Sequence, residues 1–119
     1  MHYLLQMKLA AHSRPNSPQE EITFIQGYIF PSLEMLKKLQ EEKKILAGGP
    51  MSGTIGIALI VSADSAQELD ELVESLPVWP LMETGVTPLT TFDDRIASLR
   101  PKLERLEAVA DRGSQWRKA

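Results

Sequence analysis

The segment Ile55–Val61, IGIALIV, has no polar side. Read as a strand, it puts Ile55, Ile57, Leu59 and Val61 on one face and Gly56, Ala58 and Ile60 on the other. A strand that can offer neither face to water needs cover on both sides of its sheet. A chain of 119 residues, one domain by length, has few elements with which to supply that cover. The fold is therefore decided by what flanks this strand.

Upstream, HYLLQMKLA (2–10) alternates like a strand, with Tyr3, Leu5, Met7 and Leu9 on one face and His2, Leu4, Gln6 and Lys8 on the other. After the loop AHSRPN, Ser17 is placed to cap a helix, Pro18 suits its first position and Glu20 completes a capping box. Ile22, Ile25 and Ile29 follow helical spacing. Pro31 removes a helical hydrogen bond and pushes Phe30 away from helical angles, which predicts a break near Phe30. A second helical piece is expected over Ser32–Lys44, with Leu33, Leu36 and Leu39 as its buried stripe. ILAGGPMSGTIGIALIVS (45–62) reads as two strands joined by a turn that Gly48, Gly49, Pro50 and Gly53 punctuate.

Downstream, Ser65 and Glu68 form another capping box for a helix whose core stripe is Leu69, Leu72, Val73 and Leu76, and Pro77 ends it. TGVTPLTTF (84–92) reads as a strand in which Pro88 cannot donate to a ladder, so it belongs at an edge or a bulge. A last helix is expected over 93–113, with Ile96, Leu99, Leu103, Leu106 and Val109 on one side and Gly113 just past its end.

The order β-α-β-β-α-β is the split βαβ, or ferredoxin-like, α+β arrangement: a four-stranded antiparallel sheet with strands one and three in the centre. Prolines and paired glycines fall in strands two and four, as edges require, while strand three has no proline. Both helices of such a domain cover one sheet face. The apolar second face of strand three is then covered by a second copy of the chain, giving a sheet-to-sheet homodimer, or by the chain's own C-terminal helix. The expected division is a domain over 1–92 and a helical extension over 93–119.

Composition excludes several classes of function. There is no cysteine, hence no disulfide or thiolate chemistry, and two histidines leave little for a metal site, so no metal is expected. A net charge of -3 argues against nucleic acid as a partner. The N-terminus lacks the basic region of a signal peptide, and no apolar run approaches the ~20 residues that span a bilayer, so no membrane association and a cytoplasmic location are expected. AGGPMSG lacks the Lys-Ser/Thr ending of a phosphate loop and is read as turn chemistry.

The segment SADSAQELDELVESLPVWPLMETGVTPL resembles the corresponding part of muconolactone delta-isomerases and their relatives. It shows a helix ending in Leu76-Pro77, the apolar-aromatic pair Val78-Trp79, a second proline at Pro80, and then Leu81-Met82-Glu83 leading into the last strand. YLLQMKL and EMLKKLQEE (34–42) are compatible with the same family, and the resemblance covers about residues 3 to 90. It implies a dimeric α/β barrel, and a cofactor-free isomerase or cyclase that moves a proton on a small unsaturated lactone, aromatic-pathway or polyketide-like molecule. The chain departs from the family in IFPSLE, where only Glu34 remains of the expected acid and base side chains, and in ILAGGPMSG, which replaces a Trp- and Arg-rich strand. That departure leaves a second expectation open: a non-catalytic binding or accessory protein of the same fold.

The candidate catalytic residues are Tyr28 and Glu83. Tyr28 precedes the expected break by about a turn, where a cavity could open and a phenol could donate to a developing oxyanion; otherwise it is an amphipathic residue at the core edge. Glu83 matches the family's acid and could serve as a base if buried; otherwise it is a strand-end charge. Candidate ligand-binding residues are His2 and Gln6, polar on a central strand with Lys8, together with Trp79 and Met82 on the proline-stiffened segment. Trp79 either plugs the core, packs at a subunit contact or touches ligand. Tyr28 and Glu83 are expected to line one cavity.

Overall fold

The computed structural model describes the backbone of residues 1–118 and side chains through residue 112. Two compact units result, Met1–Leu89 and the segment from Thr90 onward. The first holds β1 (His2–Leu9), α1 (Pro18–Phe24), a π-turn (Ile25–Ile29), α2 (Phe30–Glu41), β2 (Ile45–Pro50), β3 (Gly56–Ser62), α3 (Ala66–Glu74), a 3-10 turn (Trp79–Leu81) and β4 (Met82–Leu89). The second is the helix α4 (Phe92–Lys118).

The strands form one sheet in the order β2-β3-β1-β4, every pair antiparallel. The central strands are β1 and β3, and the proline-bearing strands lie at the edges. This is the ferredoxin-like α+β fold. On β1, Tyr3, Leu5 and Met7 are buried, facing the layer of helices with Ile57, Leu59 and Val61 of β3; Leu36, Leu69, Val73, Leu76 and Val78 complete the core. On the opposite face, Leu4, Ala58 and Ile60 are half-buried, and His2, Gln6 and Lys8 are exposed.

Both capping boxes form. Ser17 Oγ accepts the Glu20 N–H and Ser65 Oγ the Glu68 N–H, each at 3.1 Å. The glutamates reach back to the N–H of Asn16 and Asp64, one residue before the cap, at 2.7 and 2.8 Å. Helix α2 ends in a Schellman motif, with Lys43 N–H donating to Gln40 O and Lys44 N–H to Leu39 O, and Lys43 itself at φ +63°.

The expected break at Phe30 does not occur. Phe30 is helical at φ -59° and ψ -48°, and its N–H donates to Ile25 O, a step of five residues. In a regular α-helix the Pro31 ring would press on the carbonyl four residues back, that of Gly27. The wide π-turn ahead of the proline takes up the conflict while the axis continues. The altered phase changes which side chains face inward. Phe24 and Leu36 are buried, whereas Ile22, Ile25 and Leu33 of the expected stripes are exposed. Ile55 likewise falls outside β3 and is exposed. Helix α4 accommodates Pro101 and runs past Gly113, which therefore does not end it.

Candidate functional site: an apolar cleft beside the proline junction

The junction after α3 is built from short local bonds. Trp79 N–H donates to Leu76 O and Leu81 N–H to Val78 O, so Pro77 and Pro80 flank one tight turn. Ala10 N–H ties Leu81 O to the end of β1 at 3.0 Å. The other tie is long-range: Val78 N–H donates to Ser32 Oγ of α2 at 3.2 Å. The plug of the core is thus Val78, 3% exposed, while its neighbour Trp79 is 38% exposed.

These ties hold open a cleft of about 170 Å³ between the long helix and the sheet. Its walls come from Ile29, Ser32, Leu33 and Leu36, from Pro50 and Met51, from Thr54–Ile57, and from Val78 and Met82. A wider recess of about 440 Å³ shares the walls Ile29 and Ile55 and is lined further by Arg14, Pro15, Glu21, Phe24 and Ile25. The inner cleft carries hydroxyls at Ser32 and Thr54 and no ionisable side chain; the ionisable residues of the recess are Arg14 and Glu21. Gly56 lines the cleft where a Cβ would strike the Met7 carbonyl and the Met51 methyl at 2.6 Å, so space there depends on glycine.

The residues singled out from the sequence separate into two groups. Met82 lines the cleft. Tyr28, 37% exposed, lies in the π-turn one residue before the cleft-lining Ile29, with its ring tilted against Phe24 at 6.5 Å, and is not part of the cleft wall. Glu83 pairs in register with Lys8 on β1, while Met82 pairs with Leu9. Alternation therefore sends Glu83 to the sheet face away from the helices, where His2 and Gln6 also lie. The expectation that Tyr28 and Glu83 line one cavity is overturned within a single chain, because the sheet stands between them. Trp79 lines neither the cleft nor the recess.

Ser32, Met51, Thr54, Arg14 and Glu21 were not anticipated as site residues. One signal was available for Ser32: it follows Ile29 by three and precedes Leu36 by four, a hydroxyl on the apolar helical stripe. Among the described residues, no group of three or more His, Asp or Glu side chains converges as a metal site would require. Nor is any helix long and apolar enough to cross a membrane.

A ferredoxin-like α+β domain with a cleft, apolar on most sides, under its helix layer is the class that the fold and the site define. The chain belongs to the muconolactone delta-isomerase family, whose model matches residues 1–95. A similar solved structure is 5-chloro-2-hydroxyhydroquinone dehydrochlorinase (TftG) from Burkholderia phenoliruptrix AC1100, in complex with 2,5-dihydroxybenzoquinone. It is 27% identical, with a TM-score of 0.55 over 79% of this chain and 98% of that one. Muconolactone isomerase is similar in fold, with a TM-score of 0.58, 20% identity, and coverage of 76% of this chain and 90% of that one. No curated protein matches the chain.

Proposed function

We propose that the chain is an aromatic-pathway enzyme that binds a small unsaturated ring compound in the cleft beneath α2 and moves a proton on it without a cofactor. The observation that carries this reading is the cleft itself, apolar on most sides and closed by Met82 and Val78 of the family's own signature segment. Its volume of about 170 Å³ suits a single ring better than a polycyclic molecule. Such a reaction needs a base and a donor for the enolate oxygen. The inner cleft offers hydroxyls, and the adjoining recess offers Glu21 and Arg14. The family's charged helix residues are replaced by Pro31, Ser32 and Leu33, so the reaction differs in detail from lactone isomerisation. The active form is a homodimer closed across the sheet face opposite α1, α2 and α3, in which His2, Gln6 and Glu83 meet the partner.

A second reading, a binding protein without turnover, is favoured by one observation: the inner cleft has no ionisable side chain. Two measurements separate the readings. Titration with 2,5-dihydroxybenzoquinone, followed by absorbance, should saturate, and filling the cleft by Leu33→Trp should weaken binding at least about tenfold. Failure of both effects would sink any role for the cleft. NMR of unsaturated lactones and cyclic enones in heavy water should then show protein-dependent deuterium uptake next to the carbonyl. Saturable binding without deuterium uptake would select the binding protein.

A further inference from the structure

We infer that Ser32 is the hydrogen-bond donor that fixes a carbonyl or phenolate oxygen of the bound ring, an assignment that rests on the cleft being the ligand site. Ser32 is 2% exposed, and among the described residues the one other buried side chain that carries a hydroxyl is Tyr3. Its hydroxyl accepts the Val78 N–H at 3.2 Å. A serine hydroxyl has one donor and two acceptor positions. The bond to Val78 occupies one acceptor position and leaves the proton free to donate.

Three features turn that proton toward a ligand. Ser32 lines the cleft between the apolar side chains of Ile29 and Leu36, with apolar Val78 and Met82 also in the wall, and the cleft's one other hydroxyl, that of Thr54, is not hydrogen-bonded to it. The N–H of Val78 polarises the hydroxyl it binds, because a hydroxyl that accepts a bond donates more strongly. Val78 is itself held in the turn between Pro77 and Pro80, so the oxygen it binds has a fixed position. A ring oxygen entering the cleft leaves water, and a buried acceptor without a partner is costly. The ligand class is thus a flat unsaturated ring with one oxygen acceptor pointing at α2.

The test uses the full chain, uniformly labelled with nitrogen-15, and two probes of nearly the same shape: cyclohex-2-enone and 3-methylcyclohexene. Affinities are read from amide shifts of cleft residues. Ser32→Ala should weaken cyclohex-2-enone by about tenfold, the scale of one net hydrogen bond, and change 3-methylcyclohexene by less than about twofold. Ser32→Ala also removes the acceptor for Val78 N–H and could loosen the junction. Ser32→Cys keeps the size and replaces the hydroxyl by a weak S–H donor, so it should reproduce the selective loss in a folded chain. Equal weakening of both probes in both variants, or no change for cyclohex-2-enone, would overturn the assignment while leaving the cleft as a ligand site. If neither probe binds the unaltered chain, the cleft reading falls and the Ser32 assignment with it.

Discussion

Lys43 takes the left-handed conformation, φ +63°, at the position after the α2 cap where glycine is the common choice. The Cβ makes that conformation cost about 1–2 kcal/mol, offset in part by the larger entropy loss of a glycine on folding. Lys43→Gly should therefore stabilise the chain by up to about 1 kcal/mol, seen as a higher urea midpoint at unchanged slope; a lower midpoint would show that the lysine side chain contributes more than its strain. A residue's neighbours in register also decide what it can do. Glu83 stands across from Lys8 with its side chain exposed. Glu83→Gln should leave ligand affinity at the cleft within about twofold, read by the same absorbance titration, and stability within about 0.5 kcal/mol. A tenfold loss of affinity would mean that Glu83 reaches a ligand by a route outside its own chain's cleft.

At the level of elements, the strands and helix starts were legible because their causes are local. Alternation marks β1 and β3, and each capping box is written within four residues, so Ser65→Ala should cost about 1 kcal/mol, measurable by thermal or urea unfolding. The edge positions of β2 and β4 followed from the split βαβ order, with which their prolines and glycines agree. The π-turn was not legible. A proline rule says that a helix must yield near Phe30, but not whether it yields by breaking or by widening one turn. That choice depends on tertiary packing, in which Leu36 joins the core with the sheet residues. The cleft was hidden for a related reason: its walls come from residues 29–36, 50–57 and 78–82, brought together by the sheet rather than by spacing. Gly48 shows the same dependence. At φ +106° in bulged β2, a Cβ there would collide with the Ala58 carbonyl and lie 2.8 Å from Leu59 Cα. Gly48→Ala should lower stability by about 1–3 kcal/mol from backbone strain alone, and more if the strand pairing shifts; a loss under about 0.5 kcal/mol would show that the edge strand can move away.

For the whole molecule, the open question is the sheet face turned away from α1, α2 and α3. Leu4 of β1 pairs in register with Ile60 of β3, and Gln6 with Ala58, so an apolar centre lies between polar positions at His2, Gln6 and Lys8. A face with that pattern resembles the middle of an isologous interface, where the same patch meets itself about a two-fold axis. We propose a dimer formed through it, and sedimentation velocity should show a dimer, or a multiple of dimers, at micromolar concentration. Ile60→Asp puts a carboxylate at the centre of that contact, where burial without a partner costs several kcal/mol (roughly 2–7 for a polar group, more for a charge). Ile57, Leu59 and Val61, which hold the helices, are untouched by the change. The variant should therefore sediment as a monomer with its far-ultraviolet dichroism intact. An unaltered chain that remains monomeric at tens of micromolar, or an Ile60→Asp chain that still dimerises, would place any self-association elsewhere and leave the half-buried face to another partner.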